Sequence, residues 1–467
     1  MDNDSTTVQL VDSLRSEIRA LGPGDRLPST RRLVAAHRVS PVTVSRALSA
    51  LVVEGLIVTR PGAGTFVAQP KSPRPPTDHS WQTVVLADRS IDAGGLSPLS
   101  DPPRADGVIS LASGYPHASL MPIRSLGSAL ARASRMPDAW ERPPNAGLDG
   151  LRSWVAQNTA PDVDARDVLI TPGGQGAITA AFRALVPPGA PLLVESPTYP
   201  GALAVARAAG IRPVPVPIDA EGVIPELLAE AFARTGAQAF YCQPTYQNPT
   251  GVVLSTERRG AVLAAAAAAG AFVIEDDYAR WLSHGSRLPA PLLSLDTEGR
   301  VIYITSLSKV ASPSLRIGAL ISRGPVANRL RDIRVVDDMF VSRPLQEAAL
   351  ELVSRTAWAA HVRDYAAALA RRSRALSAAV ATHVPAVRVS ARPEGGMHLW
   401  AQLPAGVDDV ETALVARRSG VVVLPGRAFW PAEAPAAHLR LTFSAVPFEA
   451  DLDVAMRRLA TAVPELT

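Results

Sequence analysis

Seven continuous apolar runs separated by helical patterns fill the sequence from Gly107 onward, and they restrict the fold more than any other feature. The runs span residues 168–171, 191–195, 212–216, 239–242, 271–275, 301–305 and 316–322. Apolar runs that alternate with helices are typical of a mostly parallel sheet with helices on both faces. The sequence therefore predicts an α/β fold whose functional groups gather beyond the carboxyl ends of its strands.

Lysine is nearly absent from the chain, which makes the position of Lys309 informative. Of the 47 basic residues only Lys71 and Lys309 are lysine, and the other 45 are arginine. A desolvated lysine amine can lose its proton and attack a carbonyl carbon, which a guanidinium does not do. Lys309 follows the apolar run 301–305, whereas Lys71 lies in a proline-rich stretch. This placement indicates a Schiff-base lysine with pyridoxal phosphate as its commonest partner, and the alternative is an ordinary surface lysine.

Composition excludes several other classes of protein. No apolar run in the 467 residues reaches the ~20 residues that a membrane helix needs, so no membrane partner is expected. The acidic N-terminus MDNDSTT does not have the pattern of a secretory signal, so we expect a cytoplasmic protein. The single cysteine, Cys242, excludes an intrachain disulfide and a cysteine-based metal cluster, and no metal is expected.

The first seventy residues have a different pattern. Helical periodicity covers residues 7–21, a short helix follows Ser29, and Ser40 with Pro41 begins another helix over 42–54. Two β-type runs then flank the turn at 61–64. Three helices and a hairpin in this order predict a winged helix-turn-helix that places one helix in the major groove of DNA. The alternative is a small helical domain for protein contacts.

The stretch PGDRLPSTRRLVAAHRVSPVTVSRALSALVVEGLIVTRPGAGTFV (23–67) resembles the DNA-binding domain of the GntR family of bacterial regulators. In that family the arginine after LPS-x, the start of the recognition helix and the wing turn touch DNA. The resemblance therefore implies contacts with double-stranded operator DNA by Arg31, Ser40, Thr43, Ser45, Arg46 and Gly62. Pro41 stands where the family often has arginine, so no base preference is inferred.

Residues 71–107 are rich in Pro, Ser, Asp and Gly without sustained periodicity, which is typical of a linker. We expect a DNA-binding domain at 1–70, this linker, and an effector domain at 108–467 with a smaller C-terminal α/β subdomain from about residue 380.

Glycine-rich and aromatic turns follow two of the strand-like runs. TPGGQGAI (171–178) opens a helix, whose N-terminus presents backbone amides to a phosphate, although many such segments are only tight turns. ESPTYPG (195–201) places Tyr199 where it could cover a ring face, and the alternative is a packed tyrosine.

Two further strand ends carry an amide and a set of carboxylates. QPTYQNPTG (243–251) delivers Asn248 into a turn, where asparagine is often only a turn former. IEDDYAR (274–280) places three adjacent carboxylates at 275–277, which repel one another unless a cation or a protonated ring compensates them. A carboxylate that faces a pyridinium nitrogen keeps that nitrogen protonated.

The order of these motifs, ending in SLSK (306–309) and Arg316, resembles that of fold-type-I pyridoxal-phosphate aminotransferases over about 350 residues. The resemblance implies that Lys309 holds the internal aldimine, Asp276 the ring nitrogen and Arg440 an effector carboxylate. The other implied cofactor contacts are Gly174, Gln175, Tyr199, Asn248, Tyr278, Ser306, Ser308 and Arg316. AWERPPNAG (139–147) lacks the family's tyrosine motif, so the contribution of a second subunit stays open.

A GntR-type reader joined to an aminotransferase-like body resembles the MocR subfamily of bacterial transcription regulators. The resemblance implies a head-to-tail homodimer and a regulator that senses an amine, an amino acid or pyridoxal phosphate itself through an aldimine at Lys309. One alternative is an active aminotransferase with an ancillary DNA-binding domain, and another is a regulator whose body no longer holds the cofactor. Whether the chain is an enzyme stays open at this point.

Overall fold

The computed structural model describes residues 2–69, 78–86, 107–389 and 393–463. The chain divides into two compact units, Met1–Ser90 and Ile91–Thr467. The expected linker at 71–107 lies outside the described residues apart from 78–86 and Gly107, and so does Lys71. Among the described residues, no helix is both long and apolar enough to cross a membrane.

The first unit contains the three helices and the hairpin that the sequence predicts. Its elements are α1 (Asp2–Arg19), α2 (Thr30–His37), α3 (Pro41–Val53), β1 (Ile57–Arg60), β2 (Gly64–Val67) and a short α4 (Ser80–Leu86). Ser29 caps α2 by accepting from the backbone N–H of Arg32, and Ser40 caps α3 by accepting from that of Thr43. The strands β1 and β2 pair antiparallel. This is the winged helix-turn-helix architecture.

Apolar side chains from every helix of the winged helix-turn-helix meet in one core. Leu14 of α1, Leu33 of α2 and Leu51 of α3 are each no more than 1% exposed, and Ile57 and Val67 of the hairpin cover them. Because the inward face of α3 is used for this core, its opposite face is free to meet a partner.

The second unit is a larger α/β structure. Its helices are α5 (Ile123–Ala133), α6 (Asp149–Gln157), α7 (Gly173–Leu185), α8 (Pro200–Ala208), α9 (Pro225–Thr235), α10 (Thr256–Ala268), α11 (Pro325–Asp337), α12 (Arg343–Ser354), α13 (Thr356–His383), α14 (Asp409–Arg418) and α15 (Ala450–Leu459). Its strands are β3 (Ile109–Ser110), β4 (Val168–Thr171), β5 (Pro191–Ser196), β6 (Arg212–Asp219), β7 (Gly222–Val223), β8 (Ala239–Cys242), β9 (Phe272–Asp276), β10 (Val301–Ser306), β11 (Gly318–Ile321), β12 (Arg388–Val389), β13 (His398–Gln402), β14 (Val421–Val422), β15 (Leu424–Pro425) and β16 (His438–Thr442).

Eight strands form the main sheet in the order β4-β11-β10-β9-β8-β5-β6-β7. The pairs from β10 through β9, β8 and β5 to β6 are parallel. β11 is antiparallel to both of its neighbours, and β7 is antiparallel to β6. All seven predicted strands are present, and the mostly parallel sheet is confirmed. β11 is shorter than the predicted run 316–322 because Arg316 has a φ of 53°, which interrupts the extended backbone.

A smaller sheet lies in the C-terminal part, with the order β12-β13-β16-β15. A separate pair joins β3 to β14 in parallel, so the start of this unit returns to its C-terminal part. This return brings the segment after β3 close to β16, because Thr442 Oγ1 donates to Ser113 O at 2.8 Å. The segment is thereby positioned for the site described below.

Gly147 occupies a position that only glycine fits, and this gives a test of the packing. Its φ is +96°, and a Cβ there would lie 2.3 Å from Cγ1 of Ile170. We expect Gly147→Ala to lower the free energy of unfolding by at least about 3 kcal/mol, since strain and overpacking add. Gly260→Ala in α10, where a Cβ meets nothing within 4 Å, is the matched control and should stabilise by about 0.5–1 kcal/mol. Equal unfolding midpoints of the two variants would contradict this packing.

Candidate functional site

A cavity of about 330 Å³ lies within the second unit, beyond the carboxyl ends of β9 and β10. This is where ligands bind in open α/β sheets. The ten residues that the sequence predicts to hold the cofactor all line this cavity, and so does Arg440. The remaining lining residues are Gly114, Tyr115, Ile178, Gln243 and His398.

Lys309 presents its amine to the cavity. Its Nζ donates to the carbonyl oxygen of Gly114 at 2.6 Å and lies 3.8 Å from the centroid of the Tyr115 ring. Burial, followed by the positive charge of Arg440, lowers the pKa of Lys309 to about 7, although Asp276 acts in the opposite direction. A large fraction of the amine is therefore neutral near neutral pH, which is the state a nucleophilic lysine requires.

Asp276 ends β9 as a buried carboxylate. Its Oδ2 accepts hydrogen bonds from the hydroxyl of Tyr241 at 2.7 Å and from Nε2 of Gln243 at 2.8 Å. Burial raises the pKa of Asp276 to about 6, although these two hydrogen bonds lower it. A cationic ring nitrogen beside this carboxylate would stabilise its charged form.

The neighbouring carboxylates point elsewhere, and each has hydrogen-bond donors of its own. Glu275 accepts from the backbone N–H groups of Leu292 and Leu293 at 2.9 and 3.0 Å. Asp277 pairs with Arg280 at 2.6 Å. Because side chains alternate across a strand, Asp276 is the one of the three that lines the cavity.

Arg316 and Gly173 meet at the start of α7. Nη2 of Arg316 donates to the carbonyl oxygen of Pro172 at 2.6 Å. A Cβ on Gly173 would lie 3.0 Å from Cζ of Arg316, and the φ of Gly173 is +81°. Glycine is therefore needed both for this backbone conformation and for the close approach of the guanidinium.

Two serines and the first turn of α7 complete this corner. Oγ of Ser306 accepts from the backbone N–H of Ser308 at 3.1 Å and lies 3.0 Å from Oγ of Ser308. Gly174 lies against Ser306, since a Cβ on that glycine would be 3.9 Å from the serine Cβ. The N-terminus of a thirteen-residue helix, two hydroxyls and a guanidinium together suit a phosphate dianion.

Tyr199 lies beside this corner at the N-terminus of α8. Its hydroxyl donates to Oε1 of Gln175 at 3.1 Å, and Nε2 of Gln175 donates to Gly201 O at 3.1 Å. A Cβ on Gly201 would lie 2.3 Å from the Tyr199 ring, so glycine leaves room for this orientation of the ring. Gln175 therefore orients Tyr199 rather than pointing freely into the cavity.

Asn248 and Tyr278 also line the cavity, and each makes a contact that fixes its position. Oδ1 of Asn248 accepts from Nη1 of Arg440 at 3.3 Å. The hydroxyl of Tyr278 donates to the backbone oxygen of Tyr246 at 2.8 Å, and burial raises the pKa of Tyr278 above its ordinary value. Both side chains can hydrogen-bond a ring oxygen.

Arg440 is a fully buried cation, only 1% exposed, in the centre of the small sheet. Its guanidinium donates to the backbone oxygens of Ala112 and Ser113 at 2.8 and 3.2 Å, while its Nε has no partner. Burial lowers the pKa of Arg440 to about 10. Within the described ranges it pairs with no carboxylate, so it is suited to receive an anion from a ligand.

Several residues of the site have no signal in a single sequence. Tyr241 and Gln243 bind Asp276, and Glu195 accepts from the backbone N–H of Gln243 at 3.0 Å. Burial raises the pKa of Glu195 to about 7. These residues follow from the pairing of β8 with β5 and β9, because the ends of adjacent parallel strands meet. Only knowledge of the strand order could have identified them.

The chemical groups that line the cavity match those of pyridoxal phosphate. They contain three basic side chains, Lys309, Arg316 and Arg440, against one carboxylate, Asp276. Neither arginine has a carboxylate partner in the described parts of the chain, and Nε of Arg440 is buried without a partner. An aldehyde that carries a phosphate and a basic ring nitrogen would match the amine, the anion-binding corner and the buried carboxylate.

In the first unit, the residues predicted to meet DNA differ in exposure. Arg31, Ser40, Ser45, Arg46 and Gly62 are exposed. Thr43 is only 4% exposed, and its hydroxyl lies 2.8 Å from that of Ser40. The side chain of Thr43 therefore supports the cap of α3 rather than standing on the outer face of the helix.

The winged helix-turn-helix and the α/β unit with this cavity define a GntR-type regulator fused to an aminotransferase-like body. Residues 106–459 match the family model "Aminotransferase class I and II", and residues 6–67 match "Bacterial regulatory proteins, gntR family". The chain belongs to the class I and II aminotransferase family and carries a gntR-type DNA-binding domain. Pyridoxal phosphate is the cofactor of this fold family.

Both transcriptional regulators and aminotransferases resemble the chain. The uncharacterized HTH-type transcriptional regulator YdcR of Escherichia coli (strain K12) is 28% identical over 90% of this chain and 91% of the relative. The 2-aminoadipate transaminase of Thermus thermophilus is 30% identical over 80% of this chain and 95% of the relative. The crystal structure of the α-aminoadipate aminotransferase LysN from Thermus thermophilus has a TM-score of 0.76 at 28% identity, covering 83% of this chain and 98% of that one.

The lowered pKa of Lys309 predicts how its reaction with pyridoxal phosphate depends on pH. Only the neutral amine reacts, so the rate should rise with pH through about 7 rather than through the ordinary lysine value of 10.5. Arg440→Gln removes a positive charge that disfavours the protonated amine, and it should move the midpoint to higher pH. Stopped-flow absorbance measures both profiles. A wild-type midpoint close to 10.5 would contradict the desolvation of this amine.

Proposed function

We propose that the chain is a pyridoxal-phosphate-dependent, DNA-binding transcription regulator that senses an amine, an amino acid or pyridoxal phosphate itself at Lys309. The observation that carries the proposal is the reactive amine in a cavity lined by anion-binding groups, on the same chain as a GntR-type reader.

Different lining residues of the cavity would hold different parts of the cofactor. Arg316, Ser306 and Ser308, with the start of α7, would bind the phosphate, while Asp276 would hold the ring nitrogen. Tyr199 would cover a ring face and Asn248 would donate to the ring oxygen. Tyr278 would donate to that oxygen once its hydroxyl leaves the backbone oxygen of Tyr246. When bound, pyridoxal phosphate supplies an aldehyde for amines and an electron-withdrawing ring. Lys309 supplies the neutral amine that attaches to it.

Arg440 selects the effector by its charge. A buried guanidinium without an anionic partner favours a ligand carboxylate, which it can bind through two parallel hydrogen bonds. The neighbouring Asn248 already accepts from its Nη1, so the plane of the guanidinium is fixed before a ligand arrives. An amino acid therefore fits the site better than a simple amine does.

Transmission to DNA requires two states of the protein that differ in affinity for the effector. Aminotransferase-fold proteins are typically dimeric. We propose a head-to-tail homodimer in which the two readers bind repeated or palindromic half-sites. Occupancy of the cavity then changes the geometry of the readers, and only an effector that binds the two states unequally can act.

The DNA-binding part of the proposal is tested with Arg46→Ala. Because Arg46 is exposed on the recognition helix, its loss should weaken operator binding by about tenfold and lower the slope of log affinity against log salt. Arg388→Ala removes an exposed arginine of the second unit and serves as the control. Fluorescence anisotropy with the DNA upstream of the coding sequence measures both. An equal loss of operator affinity in the two variants would contradict a specific role for α3 in DNA binding.

The sensing part is tested with Lys309→Ala. This variant should bind operator DNA with an affinity close to that of the wild-type apoprotein, since the substitution lies outside the reader. It should not change its affinity or footprint when pyridoxal phosphate and amino acids are added, whereas the wild type should. A wild-type protein whose DNA affinity and footprint are unchanged by every addition would contradict the proposal.

The alternative function is catalysis by an aminotransferase with an ancillary reader. It is favoured by the likeness to transaminases and by a lysine whose pKa of about 7 suits a general base. Repeated turnover of L-2-aminoadipate with 2-oxoglutarate at ordinary enzyme rates, together with effector-independent DNA binding, would favour this alternative over the regulator.

A further inference from the structure

His398 lines the cavity but has no part in the cofactor site described above. It is the first residue of β13, pairs in register with Thr442 of β16, and is 6% exposed. A buried histidine in a ligand cavity acts through whichever ring nitrogen remains free, so its tautomer decides what it can bind.

The hydrogen bonds around Thr442 determine this tautomer. Oγ1 of Thr442 lies 2.8 Å from the backbone oxygen of Ser113, and a contact this short between two oxygens needs the hydroxyl proton between them. The hydroxyl has a single proton, so it can only accept from Nδ1 of His398, which lies 3.0 Å away. Nδ1 therefore carries the ring proton, and Nε2 carries a lone pair.

Nε2 of His398 is the free nitrogen. It makes no hydrogen bond within the described part of the chain, and it is not among the fully buried atoms that lack a partner. The ring therefore directs a lone pair toward the open space of the cavity.

The surroundings keep the imidazole neutral. Burial is the main cause that lowers the pKa of His398 well below its ordinary value, and the positive charges of Arg440 and Lys309 add to it. A second proton on the ring is therefore disfavoured, and Nε2 acts as a hydrogen-bond acceptor.

We propose that His398 determines effector specificity by accepting a hydrogen bond from the effector side chain. It selects amino acids whose side chains carry a donor, such as an amide or a hydroxyl, over those with carboxylate or apolar side chains. A carboxylate would place its lone pairs against that of Nε2, and an apolar group would leave Nε2 without a partner. This inference rests on the proposed amine-sensing function and names the class of ligand.

The test uses two pairs of amino acids of nearly equal shape, L-glutamine with L-glutamate and L-homoserine with L-norvaline. The full-length protein with bound pyridoxal phosphate is titrated with each, and the change in cofactor absorbance gives the dissociation constants. The donor-bearing member of each pair should bind about tenfold more tightly or better. His398→Phe should bring both ratios close to one.

His438→Phe is the matched control, because His438 lies on the neighbouring strand, stacks on Trp400 and does not line the cavity. It should leave both ratios unchanged. Affinity ratios are compared rather than affinities, so a general loss of packing in either variant does not imitate the effect.

A wild-type preference for glutamate or for norvaline would overturn the inference, and so would ratios that His398→Phe leaves unchanged. Both results would leave the amine-sensing function standing. Absence of any spectral response to all four amino acids would overturn amine sensing and this inference together, while pyridoxal phosphate itself could still be the effector.

Discussion

The desolvation of the Lys309 amine is the physical constraint on which the rest of the site depends. In water this amine would be protonated and unreactive near neutral pH. In the cavity, burial and the positive charge of Arg440 bring its pKa to about 7 against the opposing effect of Asp276. The balance therefore requires both burial of the amine and a particular set of charges around it.

That set of charges has more basic groups than carboxylates, which makes the cavity costly to leave without an anionic ligand. Lys309, Arg316 and Arg440 face a single carboxylate, and the two arginines are held by backbone oxygens rather than by ion pairs. Buried cations without anionic partners are costly, so the site is suited to ligands that bring a phosphate and a carboxylate. Binding and stability are coupled in this way, since ligands that neutralise the cavity also stabilise the fold.

Much of this site could be predicted from the order of motifs along the chain, because each motif follows a strand whose end faces the same edge of the sheet. Asp276, Asn248 and Lys309 come from three such segments, and the topology brings them together. Tyr241 and Gln243 could not be predicted, since their importance comes from the pairing of β8 with β9.

Contacts between residues far apart in the chain could not be predicted from the sequence either. Gly114 O, which accepts from Lys309, lies 195 residues before it in sequence, and Ser113 and Thr442, whose contact sets the tautomer of His398, are 329 residues apart. In the first unit, Thr43 has the sequence position of a DNA contact but is buried, because helical periodicity directs it inward beside Val44.

Reductive trapping followed by peptide mapping tests the central claim most directly. The full-length protein is incubated with pyridoxal phosphate, treated with borohydride and digested, and the modified peptides are identified by mass spectrometry. The account predicts one pyridoxyl group on the peptide that contains Lys309 and none on Lys71, the other lysine of the chain. Modification of Lys71 alone, or of neither lysine, would contradict it.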